Sequence, residues 1–289
     1  VLGGWLTDNW SWRWVFYVNL PVGVLAFAGA WASLKVVPRT KRRFDAFGFV
    51  LLGLALAALQ LALDRGAQLD WLESPEILAE LAIFVGAAWM LAVHLGSSRN
   101  RIFDPAMFAD RNFASACTFA FVAGVVMTAG AALLPPMLQQ LFGYPTIEAG
   151  MLMAPRGAGT VVAFVLVGRL SGKVDPRLII LAGFSLIAAS LYQMTGFSLE
   201  MGQRMIVISG FLQGAGMGFA MGPLLTLGFA TLAPHLRTDA SSLFSLVRGL
   251  GGSIGVAIVT AVLARNVQVS HSDLAAHVTA QSIPVGSAA

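Results

Sequence analysis

Eight long apolar stretches, separated by short polar connectors, fill most of the 289-residue chain. A helix rises about 1.5 Å per residue, so about 20 apolar residues are enough to cross the hydrocarbon of a bilayer. No water reaches the backbone there, so each stretch must satisfy its hydrogen bonds internally, as a helix. The pattern therefore predicts an all-α polytopic membrane protein with spans at residues 14–37, 47–63, 75–95, 113–139, 150–168, 178–197, 205–231 and 240–264.

The distribution of charge predicts the orientation of these spans. The net charge of +4 could suggest a nucleic-acid partner, but only 11% of the residues are charged and the basic ones lie in alternate connectors. Eleven basic residues lie on one side: Arg39, Lys41, Arg42, Arg43, Arg99, Arg101, Arg111, Arg169, Lys173, Arg177 and Arg237. Four lie on the other: Arg13, Arg65, Arg204 and Arg265. Because cytoplasmic connectors are enriched in Lys and Arg, both chain ends are predicted to be periplasmic or extracellular. No nucleic-acid partner is expected.

The sequence offers little for catalysis or metal binding. It has one cysteine, Cys117, which we interpret as a small packed residue, and four scattered histidines without metal-ligand spacing. An intramembrane enzyme would need His/Glu/Asp or Ser/Lys groups at membrane depth, and a sensor would need an output domain. Neither pattern is visible, so both classes are weak alternatives to transport.

The seventh stretch carries the strongest helix-packing pattern. Four glycines, Gly210, Gly214, Gly218 and Gly222, recur every four residues and share one helix face, where another backbone can approach closely. Pro223 follows, and a kink or broken turn is expected there. The face is either a static packing surface or a sliding surface of a transporter. The eighth stretch carries a similar set: Ser241, Ser245, Gly249, Gly252, Ser253 and Gly255.

A few polar side chains within the spans are candidates for a substrate cavity. Arg156 and Arg248 either extend to the headgroups or face a cavity that attracts anions. Gln213 is the preferred cavity residue, with Gln139 and Met217 as further candidates, although a glutamine can equally link helices. The glutamines considered are Gln60, Gln139, Gln140, Gln193 and Gln213. The acidic residues Glu76, Glu80 and Glu148 lie near the predicted outer boundary, so none is at mid-membrane.

The first 23 residues, VLGGWLTDNWSWRWVFYVNLPVG, resemble the fourteen-span drug:proton antiporters of the major facilitator superfamily, the EmrB/QacA-like branch. In that branch a Gly-Pro-x-x-Gly-Gly motif precedes W-R-W-x-F-x-x-N-x-P-x-G. The matching positions are Gly3, Gly4, Trp12, Arg13, Trp14, Phe16, Asn19, Pro21 and Gly23. Val1 is not a Met and lies beside a predicted Gly-Gly turn, so we expect that sequence precedes it.

A second motif supports the same resemblance. GRLSGKVDPR resembles the superfamily's cytoplasmic motif G-x-L-x-D-x-x-x-x-R, which implies a gating role for Gly168, Arg169, Asp175 and Arg177. Gly172 stands where the family has an acidic residue, so this gate is expected to be weakened. RFDAFG, LALDRGAQLDW, MFADRNF and SSLFSLVRGLGGSIG also resemble family segments in the same order.

The resemblance implies a partial major facilitator fold with about eight of fourteen transmembrane helices. Residues 1–37 would be the end of the N-terminal six-helix bundle. Residues 38–112 would be a central two-helix insertion, and residues 113–289 five helices of the C-terminal bundle with a periplasmic tail. The tail beyond Arg265 is expected to be a loop or a short helix.

The resemblance also implies a function, which is proton-coupled export of lipophilic drugs by alternating access at the bacterial inner membrane. The partners would be the lipid bilayer, a small lipophilic substrate and, as in EmrB-like systems, a periplasmic adaptor with an outer-membrane channel. No cofactor is expected beyond the proton as coupling ion. Transport of a physiological metabolite or siderophore is the alternative.

Overall fold

In a computed structural model, the described residues are 2–33, 44–66, 68–98, 101–198 and 200–277, and their regular structure is entirely helical. Eight of the helical segments are long and apolar enough to span a membrane, which confirms the predicted polytopic α-helical class. Several predicted features lie outside the described residues: 34–37 of the first span, the basic residues Arg39, Lys41, Arg42, Arg43 and Arg99, and the tail 278–289.

Eleven α-helices are found in the described part of the chain. Two short helices, α1 (Leu2–Asn9) and α2 (Trp14–Tyr17), precede the first long one. The rest are α3 (Asn19–Ser33), α4 (Ala46–Arg65), α5 (Pro75–Ser97), α6 (Ala106–Ala109), α7 (Arg111–Pro136), α8 (Thr146–Leu170), α9 (Pro176–Met194), α10 (Gln203–Ala230) and α11 (Arg237–His277). A π-helical turn, Met137–Leu141, continues α7, and single 3₁₀ turns lie at Trp71–Glu73 and Pro234–Leu236.

Aspartates begin three of the long helices. Asp45 accepts a hydrogen bond from the Gly48 N–H before α4, and Asp110 accepts one from Phe113 before α7. Asp175 accepts one from the Arg177 N–H before α9. A short carboxylate satisfies N–H groups that have no partner inside the first helical turn, so these residues fix where the spans start.

One local prediction is wrong: Gly3 and Gly4 lie within α1 rather than in a turn. The helix α10 continues through Pro223 without a broken turn, because a membrane helix can replace one lost hydrogen bond through neighbouring groups, and the predicted kink stays a prediction. The helix α11 extends to His277, well past the predicted end at 264, since residues 265–277 contain neither glycine nor proline to stop it.

The chain divides into two compact units. Unit 1 comprises the described residues within Val1–Phe44, Phe108–Ala116 and Ala131–Arg237, and it contains α8, α9 and α10. Unit 2 comprises those within Asp45–Met107, Cys117–Gly130 and Thr238–Ala289, and it contains α4, α5 and nearly all of α11. The assignment of 1–37, 38–112 and 113–289 to parts of a transporter stays a prediction.

Small residues hold the α4–α5 hairpin together in unit 2. The buried residues of α4 alternate in steps of three and four and therefore share one face. They are Gly48, Leu51, Ala55, Ala58 and Ala62. Only Ile77 and Ala87 are buried on α5. Most large apolar side chains of the hairpin are thus exposed, as expected where lipid replaces water.

Candidate functional site

The helix α10 is the centre of unit 1. The core of its span is 56% buried, against 28% or less for each of the other seven spans. It packs against α8 on one side and α9 on the other, and we call these three helices the α8–α9–α10 cluster. Its position follows from its composition, since small residues cover two faces of the helix.

The face of α10 toward α8 is in backbone contact. A Cβ atom on Gly214 would overlap the carbonyl group of Arg156, and one on Gly218 would lie 2.8 Å from the carbonyl oxygen of Thr160. The Thr160 hydroxyl lies 3.0 Å from the Gly214 carbonyl oxygen and 3.0 Å from that of Arg156. Packing is looser at the two ends, because a Cβ on Gly210 or Gly222 would meet only atoms about 4 Å away.

The face of α10 toward α9 is equally close. A Cβ on Gly216 would lie 2.6 Å from the Gly183 carbonyl oxygen, and one on Gly183 would lie 2.7 Å from the Gly216 carbonyl oxygen. The buried Ser190 hydroxyl donates a hydrogen bond to the Ser209 carbonyl oxygen at 2.7 Å. The sequence analysis missed Gly183 and Ser190, because an isolated glycine or serine in an apolar run carries no repeat.

Gln213 lies between these two faces. At 100° per residue it points between the α8-facing Gly214 and the α9-facing Gly216. The residue is 1% exposed, and among the described residues its Nε2 atom has no hydrogen-bond partner. A buried amide donor without an acceptor costs about 1–3 kcal/mol. Met217, 5% exposed, lies on the same side of the helix.

The other cavity candidates are dispersed. Arg156 is half-buried on α8, and its main chain contacts α10. Gln139 is exposed in the π-helical turn, and Arg248 is exposed on α11 in unit 2. Only Gln213, Met217 and Arg156 therefore belong to one cluster, and the cavity role of all five stays a prediction.

The connector between α8 and α9 contains the predicted gating motif. Gly168, Arg169, Asp175 and Arg177 are exposed, and the Asp175 carboxylate caps α9. Gly172 has a φ angle of +82°, a conformation that glycine adopts without the steric penalty of a Cβ atom. The backbone conformation at position 172 therefore explains why glycine stands there instead of the acidic residue of the family motif.

The N-terminal motif residues lie on the first three helices and in the turn between α1 and α2. Gly4 contacts the start of α8, since a Cβ there would lie 3.5 Å from Thr146. The Arg13 guanidinium lies 5.7 Å from the centroid of the exposed Trp12 ring. Asn19 donates to the Val15 carbonyl oxygen at 3.0 Å. Gly3 lies in α1 and Pro21 in the first turn of α3, where a proline costs no hydrogen bond.

A buried carboxylate ties the ends of the α4–α5 hairpin together. Both oxygens of Asp45 lie 3.0 Å from the His94 Nε2 atom, and one accepts the Ile102 N–H at 3.0 Å. Burial raises the pKa of Asp45, but the hydrogen bonds from Gly48, His94 and Ile102 and the attraction of His94 outweigh it, so the pKa falls below its ordinary value. His94 lies 49 residues from Asp45 in the sequence, so no local pattern indicates that the two side chains are partners.

At the opposite end of the hairpin, Arg65 pairs with Glu76 and lies 3.6 Å from Glu80. The Glu80 Oε2 atom is buried and has no hydrogen-bond partner among the described residues. In unit 1, hydrogen bonds from Thr231 and Phe113 lower the pKa of Asp110. No group of three or more His, Cys, Asp or Glu side chains in the described ranges is placed to hold a metal ion.

Comparison with known proteins identifies relatives along the whole chain. The chain is 32% identical over 285 residues to the Fatty acid resistance protein FarB of Neisseria gonorrhoeae, covering 98% of this chain and 56% of that protein. It is 32% identical over 278 residues to the Multidrug export protein EmrB of Escherichia coli, covering 95% and 54%. A Multidrug resistance protein B homolog of Mycobacterium tuberculosis is 32% identical over 286 residues, covering 96% and 52%. The chain therefore spans about half the length of the curated relatives it matches.

The family profile described as Major Facilitator Superfamily matches residues 1–256. This match covers seven of the eight spans completely and about half of α11. The eight membrane-length helices, the small-residue packing around α10 and the profile match agree with one another. The chain is a multi-pass membrane protein and belongs to the major facilitator superfamily.

Proposed function

We propose that the protein exports lipophilic small molecules across the bacterial inner membrane, driven by inward proton flow. The observation that carries the proposal is the α8–α9–α10 cluster, in which three membrane helices meet at backbone distance. Alternating access in this type of transporter requires helix groups that move as rigid bodies. Helices whose main chains are in contact can rock together without repacking large side chains.

The relatives support the export direction and the class of substrate. EmrB is named a multidrug export protein and FarB a fatty acid resistance protein, so the two names refer to export of drugs and to resistance to fatty acids. We propose the same role here, rather than catalysis, with the proton as the coupling ion and no cofactor. Both ends of the chain would be periplasmic, and a periplasmic adaptor with an outer-membrane channel would be the partner.

Dye accumulation in cells tests this proposal. An efflux-deficient bacterium that produces the protein should accumulate less ethidium than cells carrying an empty vector. Collapse of the proton gradient with an uncoupler should abolish the difference. Equal accumulation in both strains would count against export, and a difference that survives the uncoupler would count against proton coupling.

A further inference from the structure

A groove within unit 2 separates α4 from α11. Its volume is about 810 Å³, within the range of small-molecule sites. Phe49, Leu52 and Leu56 form the α4 wall, and Ser242, Ser245 and Ser253 lie along the α11 wall. We call this feature the α4–α11 groove. The α4 wall is apolar except for Gln60, and the α11 wall carries hydroxyl groups and the Asp239 carboxylate.

Gly53 of α4 and Gly249 of α11 both line the groove. A Cβ atom on Gly53 of α4 or on Gly249 of α11 would have no atom within 4 Å. Other glycines of α11 are explained by packing, since a Cβ on Gly251 would overlap Phe121 of α7 and one on Gly255 would lie 2.6 Å from the Val125 carbonyl oxygen. At 100° per residue, Gly249 points more than 100° away from those two. Helix packing therefore does not explain Gly53 and Gly249, which leave space inside the groove.

The dimensions of the groove match one leaflet of a bilayer. From Phe49 to Gln60 the α4 wall rises by eleven residues, or about 16 Å at 1.5 Å per residue. Half of a hydrocarbon core of about 30 Å is about 15 Å. With the charge-based orientation, α4 begins on the cytoplasmic side, so the groove would open into the cytoplasmic leaflet.

The polar groups of the groove indicate whether its occupant is a lipid acyl chain or another kind of molecule. The Ser242 and Ser253 hydroxyls donate long hydrogen bonds to carbonyl oxygens of their own helix, at 3.3 and 3.4 Å. A hydroxyl oxygen that donates one hydrogen bond still has acceptor capacity. A lipid acyl chain has no donors to use it, whereas a mainly apolar molecule with N–H or O–H groups on one edge does.

We propose that the α4–α11 groove binds the exported substrate from the cytoplasmic leaflet, and that this substrate is a mainly apolar molecule with hydrogen-bond donors along one edge. The inference rests on the proposed export function and assigns it a binding site. It assigns recognition to α4 and α11 rather than to Gln213.

Groove-filling substitutions test the site. Gly53→Leu, Gly249→Leu and the double variant would project side chains into open space, and Gly86→Leu on α5 is the matched control, because a Cβ there also has no atom within 4 Å and Gly86 does not line the groove. The probe is ethidium, a flat aromatic cation with two amino groups, titrated by fluorescence into the purified full chain in detergent. The double variant should bind ethidium at least about tenfold more weakly, and Gly86→Leu should bind it as the unchanged protein does.

Folding is followed on the same samples. Leucine favours a helix over glycine, so all four leucine variants should unfold at or above the temperature of the unchanged protein. Binding of the double variant within twofold of the unchanged protein, equal weakening by Gly86→Leu, or no binding by the unchanged protein would each overturn the groove assignment.

Efflux separates this inference from the proposed function. Export by the unchanged protein that is lost in the double variant supports both. Export retained by the double variant overturns the groove and leaves the exporter standing. If the unchanged protein does not export ethidium but the double variant loses binding, the proposed function fails and the binding site stands.

Discussion

Two regions of this protein achieve stability in different ways. In the α8–α9–α10 cluster, glycines let main chains touch, so a Cβ on Gly214 or Gly216 would collide with a neighbouring helix. In the α4–α5 hairpin, Gly53 and Gly86 face open space, and polar ties at the two ends, Asp45 with His94 and Arg65 with Glu76, join the helices. Glycine is thus required at Gly214 and Gly216 and replaceable at Gly53 and Gly86.

The comparison shows why glycine content alone does not locate function in a membrane protein. In hydrocarbon, no hydrophobic effect drives helices together, so close packing and hydrogen bonds must do so. A glycine in contact with another main chain therefore indicates a rigid helix contact. A glycine that faces open space lies against either lipid or a binding site. The single cysteine, Cys117, is buried, so its labelling by a thiol-reactive dye during heating reports unfolding for every variant below.

The largest effect is expected for Gly214→Ala. The added methyl group would overlap the carbonyl group of Arg156, and backbone cannot move aside as a side chain does. We expect destabilisation by about 3 kcal/mol or more, seen as early Cys117 labelling on heating. Gly222→Ala on the same face is the control, because its Cβ would meet only Val167 at 4.0 Å. Equal stability of the two variants would show that the cluster is not in backbone contact.

The next effect is expected at the hairpin, for Asp45→Asn. The substitution removes a buried charge that accepts hydrogen bonds from Gly48, Ile102 and His94, at a cost of about 2 kcal/mol near neutral pH. Because the pKa of Asp45 is lowered in the folded protein, its carboxylate stabilises the fold above the unfolded-chain pKa of about 3.9. That contribution disappears as the pH falls through the lower folded-state pKa.

Unfolding temperatures as a function of pH check this assignment. The difference between the unchanged protein and Asp45→Asn should be constant above about pH 4 and should shrink below it. Arg65→Gln serves as the comparison at the other end of the hairpin. Its ion pair with Glu76 is exposed, so we expect less than about 1 kcal/mol. An Asp45 effect as small as that of Arg65 would refute the buried tie.

The sequence predicted the membrane spans, which the bilayer thickness determines. It did not predict the contacts between residues that are far apart in the sequence. Hydrocarbon thickness requires about 20 apolar residues, so all eight spans were found. The fourfold repeat of Gly210 to Gly222 predicted a small face, but a second face of α10 depends on the single residues Gly183 and Ser190. For the tail beyond Arg265 the sequence left both a loop and a short helix open, because hydropathy marks where the hydrocarbon ends and not where the helix ends. The structure shows that residues 265–277 are helical.

The site was harder to predict than the fold. Gln213 was preferred because it lies on the glycine-rich seventh stretch, and the structure places it inside the α8–α9–α10 cluster. The α4–α11 groove joins helices separated by nearly 180 residues of sequence, and no local pattern on α4 indicates its partner. Side chains that line a space between distant helices can be recognised only when those helices are placed.

Gln213→Leu tests whether a polar side chain inside the α8–α9–α10 cluster lowers stability. Its Nε2 atom is buried without an acceptor among the described residues, and leucine has a similar size without a polar atom. We expect stabilisation by about 1–2 kcal/mol, because the cost of an unpaired amide is removed. Gln193→Leu, at a half-buried position on α9, is the control and should change stability less. Destabilisation by Gln213→Leu would show that the amide makes a hydrogen bond that stabilises the cluster.

The smallest effect is expected for Gly249→Ala, which tests a glycine that faces open space. A methyl group there would meet no atom within 4 Å, so the only change in folding is the helix preference of alanine over glycine. We expect stabilisation by about 0.5–1 kcal/mol, or a rise of about 2 °C in the temperature of Cys117 labelling. The same substitution at Gly251, two residues along α11, would place its methyl group against Phe121 and should be strongly destabilising. Opposite signs at 249 and 251 would establish that α11 has one packed face and one open face, and equal signs would remove the structural basis of the groove.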